Sequence, residues 1–496
     1  MKKRLVLGPA SYLAAAVHFA AMATGCSPAP SAASAHDGQL AEAPSASVSQ
    51  PAPPRDPAAL AAAKHEKRVA ASLARVPRIA EKVAQIRDLP LKHAVPAEIQ
   101  SQDAFRGYLE AQVKKELPVE KSAQSVKALV RLGFLKQAID LGKTIEDAMV
   151  SQAGAYYDPE TKKFYLVLIP DDESMLDVMS AHELTHALDD QYFDLGAYTG
   201  DAQHPLTNDE QQARRFVGEG EATLVMLAYQ AQTAAQQDIF DPKNRRIEQA
   251  MVSTFATLDS DELAKSAAEN PAMVSQMGPG MKASMDAMSS IPPLILDPLF
   301  SAYTKGCAAV AAVRDAGGWP AVSALYTTPP ESTEQLLHPE TKLIGKRDRP
   351  VAITFAPLPK LFAGQTPLDT DVIGELTMAV YFKNWGDKKP TAEVTGWGGD
   401  RYAAYLVGDH VVGVWLTTWD TAEDAERFTK GYDATLAVRF PGEPRWSSKG
   451  ERGVAHPGGT VTSFVHAGKD VAIVDGAPVA SAPALFDWLA KSKRTK

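Results

Sequence analysis

The spacing of apolar residues divides the chain into segments of different texture. From 61 to 150 apolar positions recur at helical spacing, as in 69–86 and 105–113, broken by Pro90, Pro96 and Pro118; this predicts an N-terminal helical region. At Gly154 the texture changes. Residues 154–169 read as a strand, a tight turn from Asp158 to Thr161, and a second strand rich in β-formers, so a hairpin is predicted. Asp171, Asp172 and Glu173 then place negative charge where a helix would begin, and helical spacing runs over 175–188. A further helix is predicted from 208 past 227, with Asn208 as N-cap and Asp209 and Glu210 in its first turn. Another opens at Tyr303, continues to Arg314 and ends at Gly317, Gly318 and Trp319. Beyond about 346, strands near 402–407, 411–419, 461–466 and 471–474 and helices near 422–436 and 482–489 predict a small α+β domain.

Composition narrows the classes. The chain has 496 residues, 45% of them apolar, which suffices for two or three domains with buried cores. Its 51 Lys+Arg against 60 Asp+Glu give a net charge of −9, so it has no basic field for phosphates and no nucleic-acid partner is expected. Two cysteines exclude a disulfide-stapled scaffold and any Cys-rich metal site. One of them, Cys26, follows Lys2, Lys3, Arg4, a mostly apolar stretch over 5–23 and the small residues Ala23, Thr24 and Gly25. This resembles a bacterial lipoprotein signal, which implies that Cys26 becomes the lipidated first residue of an exported chain anchored to the cell envelope by acyl chains; an ordinary secretory signal is the alternative. The Ala-, Pro- and Ser-rich stretch after it reads as a tether. Cys307, in the apolar run 307–313, reads as a core residue.

The chemistry lies in the helix over 175–188, which contains His182, Glu183, Leu184, Thr185 and His186. Histidines at i and i+4 project from one helix face, so both imidazoles can reach a single Zn²⁺ at about 2.0–2.1 Å. Glu183 lies about 100° round the helix, close enough to act on a water at the metal without ligating it. A metal lowers the water's pKa and polarises a carbonyl, while the carboxylate accepts the proton and passes it to the leaving amine.

Two imidazoles require a further ligand. An extended metzincin site would need Gly at 189 and His at 192; the chain has Asp189 and Tyr192, which excludes that class. The helix from 208 carries Gly218, Glu219, Gly220, Glu221 and Ala222. The intervening loop is long enough to turn this helix back beside the first, and its small residues would let the two approach. Glu219 and Glu221 are both candidates; they point about 200° apart, so one alone can ligate, and Glu219 is favoured.

The run from His182 to Asp190 resembles the active-site helix of thermolysin-type gluzincins, and Glu219, Gly220, Glu221 and Ala222 are similar to the Glu-Gly-x-Ala element of zinc aminopeptidases in the same clan. The resemblance implies His182, His186 and Glu219 as zinc ligands and Glu183 as general base, with Asp190 fixing an imidazole tautomer. Tyr303, Thr304, Lys305 and Gly306 are similar to the Tyr-x-Lys-Gly helix of those aminopeptidases, which implies that Tyr303 donates a hydrogen bond to the oxyanion. With the segment 329–340 and the run from Gly396 to Tyr402, residues of roughly 150–430 look like a family of uncharacterised bacterial proteins predicted to be metallopeptidases. His338 in the first of these segments is a candidate oxyanion donor or substrate contact, or a structural histidine. The strand at 154–157 stands where gluzincins place the strand that pairs with substrate. There Gly154, Ala155, Tyr156, Tyr157 and Asp158 replace the Gly-x-Met-Glu-Asn run whose Glu binds a free amine in aminopeptidases, and this favours an endopeptidase. Met273, Met277, Met281, Met285 and Met288 form a stripe read as adaptable core packing.

The expected organisation is a signal peptide (1–25), a tether (26–60), an N-terminal helical region (61–150), a mainly helical zincin-like domain with a small edge β-sheet (151–345) and a C-terminal α+β domain (346–496). The fold class is α+β, the cofactor Zn²⁺, the partner a peptide or protein substrate, and the expected activity hydrolysis of peptide bonds. The alternatives are a catalytically silent zincin-fold lipoprotein serving envelope assembly and a hydrolase of cell-wall amides.

Overall fold

The structure is a computed structural model that describes residues 57–150, 154–167, 173–200, 205–261, 290–386, 390–448 and 450–496. The signal segment, most of the tether, Asp171, Asp172 and the methionine stripe lie outside the described residues. The fold is α+β. Among the described residues no helix is long and apolar enough to cross a membrane.

The N-terminal part is helical, as its spacing predicts: α1 (Pro57–Arg87), α2 (Gln102–Glu116), α3 (Val119–Leu132) and α4 (Leu141–Val150). Helix α1 begins inside the stretch read as tether. Val76, Ile79, Ala80 and Val83 recur at helical spacing along it and are buried. The exception to the helical pattern is β1 (Ala97–Ile99), which lies between Pro96 and Gln100. It runs parallel to β3 (Lys163–Leu166), which pairs antiparallel with β2 (Ala155–Asp158), in the sheet order β1, β3, β2. A three-residue strand recruited by a distant hairpin leaves little periodicity to read. Asp158 closes the hairpin: its carboxylate accepts from Glu160 N–H and from the Thr161 hydroxyl.

The helices that follow include α5 (Glu173–Phe193), α6 (Asn208–Ala234), α7 (Arg245–Ala256) and α8 (Pro293–Thr327). Helix α6 is capped by Thr207 and not by Asn208. The Thr207 hydroxyl accepts from Glu210 N–H while the Glu210 carboxylate accepts from Thr207 N–H, a reciprocal pair one position earlier than the sequence suggests. Helix α8 begins ten residues before Tyr303, at Pro293, whose fixed φ suits a first helical position. The expected break does occur, at Gly317 and Gly318, where the backbone leaves helical angles.

One buried core is shared by α1, the hairpin, α5 and α6, and a second by α6, α7 and α8. Helices α6 and α8 cross backbone to backbone at Gly220 and Gly306. A Cβ on Gly220 would lie 2.3 Å from the Gly306 carbonyl carbon, and one on Gly306 would lie 2.6 Å from Phe216 O. The glycines of the Glu219 segment were expected to admit α5; Gly220 instead admits α8, and Gly218 faces His186, where a Cβ would stand 3.9 Å from its Cε1.

The C-terminal part contains β4 (Ala352–Thr354), β5 (Asp369–Asp371), α9 (Gly374–Asn384), β6 (Trp397–Val407), β7 (His410–Trp419), α10 (Ala422–Arg439), β8 (Arg445–Ser448), β9 (Glu451–His456), β10 (Thr460–Ala467), β11 (Asp470–Pro478), α11 (Ala482–Ala490) and β12 (Lys493–Thr495). Seven of its strands form one antiparallel sheet in the order β5, β6, β7, β11, β10, β9, β8. Alternate residues of β7 face opposite cores: Val412, Val414 and Leu416 pack with α11, Trp415 and Trp419 with α9 and α10. Ala128 and Leu132 of α3 enter the second of these cores, which ties the N-terminal helices to the C-terminal sheet.

Candidate metal centre

Helices α5 and α6 bring His182, His186 and Glu219 together. Among the described residues they form a buried group whose potential ligand atoms all lie within 4.8 Å of one another. His182 Nε2 stands 3.2 Å from Glu219 Oε2, and His186 Nε2 stands 3.6 Å from the same oxygen. Atoms about 2.0–2.1 Å from a tetrahedral ion lie roughly 3.3–3.4 Å apart, so these separations suit a shared cation. The two rings are nearly perpendicular, at 82° with centroids 5.0 Å apart.

The electrostatics suit a cation as well. Burial pushes the His182 imidazole below its ordinary value. Burial acts on His186 in the same direction, but the hydrogen bonding and charge of Glu219 outweigh it and carry this imidazole up to about 9. Burial acts to raise the Glu219 carboxyl, yet the two imidazoles hold it at about 2. A carboxylate this deeply buried needs positive charge beside it, which a proton on His186 or a metal ion can supply. Two imidazoles and one carboxylate are donors that could hold a divalent cation.

Glu183, Tyr157 and Tyr303 surround this group. Glu183 is fully buried and accepts a hydrogen bond at 3.1 Å from the Tyr157 backbone N–H, so the edge strand β2 aims the carboxylate. The Tyr303 ring stacks on His182 with centroids 5.6 Å apart and 22° between planes. Burial and the charge of Glu219 push the Tyr303 phenol well above its ordinary value, against the pull of Arg215, and keep it protonated.

Other residues fall elsewhere. Among the described residues Asp190 hydrogen-bonds to neither imidazole: it accepts from the Tyr157 hydroxyl at 2.7 Å, Lys162 Nζ at 2.6 Å and Leu195 N–H at 2.9 Å, tying the hairpin to α5. His182 Nδ1 is buried without a hydrogen-bond partner among the described residues, so packing against Tyr303 holds that ring where an acceptor usually would. His338 is not brought to the group; its Nε2 lies 2.8 Å from Glu375 of α9. Cys307 is fully buried, with its thiol pushed up by burial.

Glu221 points away from the histidines into a buried ion pair with Arg87, the last residue of α1. Asp189, one turn after His186, accepts from the Tyr326 hydroxyl at 3.2 Å, and its charge and that of Glu221 both act on Arg87. Sequence reasoning missed this support behind His186 and Glu219. An arginine closing an amphipathic helix ordinarily reads as a helix-end charge, and no local pattern marks it as buried.

Residues 362–485 match a family model described as a domain of unknown function (DUF8575), which spans the C-terminal part from just before β5 into α11. No curated protein and no solved structure matches the chain.

Proposed function

We propose that this chain is a zinc-dependent peptidase of gluzincin type, acting as an endopeptidase on the cell envelope, where the lipidated Cys26 anchors it. The observation that carries the reading is the convergence of His182, His186 and Glu219 at separations suited to one ion, with Glu183 beside them held by the backbone of an edge strand.

His182, His186 and Glu219 would hold the metal, which when bound polarises the scissile carbonyl and acidifies water. The Glu183 carboxylate takes the proton from the attacking water and delivers it to the leaving nitrogen. The Tyr157 N–H fixes the direction in which that carboxylate faces. The Tyr303 phenol, protonated throughout the neutral range, donates to the oxygen on which negative charge develops, and its hydrogen bond strengthens as the charge grows. An organising role for a silent metal would require neither Glu183 nor Tyr303 at the site.

The test combines metal analysis of the purified chain with cleavage of casein and of short internally quenched peptides. The reading expects about one zinc per chain and cleavage that chelation stops and zinc restores. A metal-free chain with undiminished cleavage defeats it, as does a zinc-loaded chain that cleaves none of these substrates.

A further inference from the structure

A cleft of about 740 Å³ opens beside the His182, His186 and Glu219 group, within the ordinary size range of ligand sites. Its walls include α6 with the ligand Glu219, α3 and α4 through apolar side chains such as Leu129 and Met149, α8 through Leu294 and Leu299, and the C-terminal sheet through β5 and β6.

The chain carries a net charge of −9, yet two arginines line this cleft without a direct ion pair among the described residues. Arg214 of α6 and Arg401 of β6 both line it, and among the described residues neither has a carboxylate within 4.0 Å. Arg214 donates to the Tyr198 carbonyl oxygen and sits 5.4 Å from that ring's centroid. Arg401 Nε donates to Thr370 Oγ1 at 3.3 Å. The acids along the same walls take their hydrogen bonds from other groups, although the charge of Arg401 reaches Asp371. Asp369 accepts from Lys121 Nζ and from the Tyr402 hydroxyl, and Asp371 accepts from the backbone N–H groups of Asn208 and Val372. Glu219 belongs to the ion group. Two half-buried guanidinium groups, each with donors to spare, favour a carboxylate, which they bind through short charge-assisted hydrogen bonds.

We infer that this cleft selects peptide segments bearing an acidic side chain, read by Arg214 from the metal-bearing helix and by Arg401 from the C-terminal sheet. The inference rests on the peptidase reading and deepens it. It gives the C-terminal domain a part in recognising substrate, because Arg401 and the strand that positions it both belong to that domain.

The experiment measures binding, so it reads recognition apart from turnover. The zinc-loaded full chain carrying Glu183→Gln is titrated, by fluorescence anisotropy, into fluorescein-labelled alanine–leucine decapeptides with two glutamates, two glutamines or two lysines. The glutamate peptide is expected to bind about tenfold more tightly than the glutamine peptide, and the lysine peptide more weakly than either. The preference should shrink to within about twofold in Arg401→Gln and in Arg214→Gln, survive in Arg401→Lys, and weaken as salt is raised. Circular dichroism checks the fold of each variant, and Arg214→Gln carries the test alone if Arg401→Gln does not fold. Equal binding of the three peptides, no binding of any, or a preference unmoved by the glutamine variants overturns the inference. Arginine-dependent preference in a chain whose wild type cleaves nothing would defeat the peptidase reading and leave this one standing. Cleavage indifferent to charge and to both arginines would do the reverse.

Discussion

Arg87 of α1 lies against Glu221 of α6 in an ion pair with neither side chain exposed, and the charge of Asp189 of α5 also acts on that guanidinium. One cation from the N-terminal helix thus joins the two helices that carry His186 and Glu219. Arg87 also donates to Ser323 Oγ at 2.9 Å and stacks 4.6 Å from the Trp319 ring centroid, which brings in the part of α8 beyond its break.

Arg87→Met should therefore destabilise the chain by about 3–5 kcal/mol, because it leaves Glu221 buried without its cation. Urea unfolding would measure the loss. The double variant Arg87→Met with Glu221→Leu should recover part of it, since removing both charges removes much of the desolvation penalty. Equal stabilities of Arg87→Met and wild type would show that the pair holds nothing together.

If the chain is the zinc peptidase proposed above, Glu183→Gln should keep zinc and lose hydrolysis, whereas His186→Ala should lose both. Tyr303→Phe should keep its zinc and lower kcat by about 10²–10³, the usual effect of removing one oxyanion donor. Atomic emission for metal content and initial rates on a quenched peptide give the two readouts. Retained hydrolysis in Glu183→Gln would remove that residue from the mechanism.

The helix crossing predicts opposite effects at two helical glycines. Gly220→Ala would drive a methyl into the Gly306 backbone and should cost about 1–3 kcal/mol or more, while lowering zinc affinity by shifting the neighbouring Glu219. Gly107→Ala in α2, where an added Cβ meets nothing within 4 Å, should stabilise by about 0.5–1 kcal/mol. Thermal melts with and without zinc separate the two contributions.

His338 should titrate above its ordinary value. Its hydrogen bond to Glu375 raises the imidazole, burial opposes this, and the nearby charges of Glu334 and Lys342 raise and lower it respectively. A histidine with a raised folded value stabilises fully below its unfolded pKa of about 6.5 and loses that contribution as pH rises through the folded value. The stability gap between wild type and His338→Gln should thus be widest below about pH 6 and close above the folded pKa, with the imidazole followed by NMR. A His338 midpoint at or below 6.5, unmoved by Glu375→Gln, would contradict the pairing.

Elements whose apolar residues recur over many positions are legible in the amino-acid order alone. Long periodic runs gave α5, α6 and the central strands of the C-terminal sheet, and the i, i+4 spacing of His182 and His186 put both imidazoles on one face of α5. The geometry of a single helix likewise separated Glu219 from Glu221, because residues two apart cannot face the same ion.

Contacts that cross between elements became visible in the folded chain. Three-residue β1 exists because a distant hairpin offers it a partner, and Gly220 matters because α8 passes within backbone contact. Asp190 turned toward the hairpin because Tyr157 and Lys162 reach it there. Arg87 became a core residue, and Arg214 and Arg401 came to line one cleft, through chain segments far apart in sequence. Local periodicity reports which face of an element is buried; it carries no information about which distant residue that face will meet.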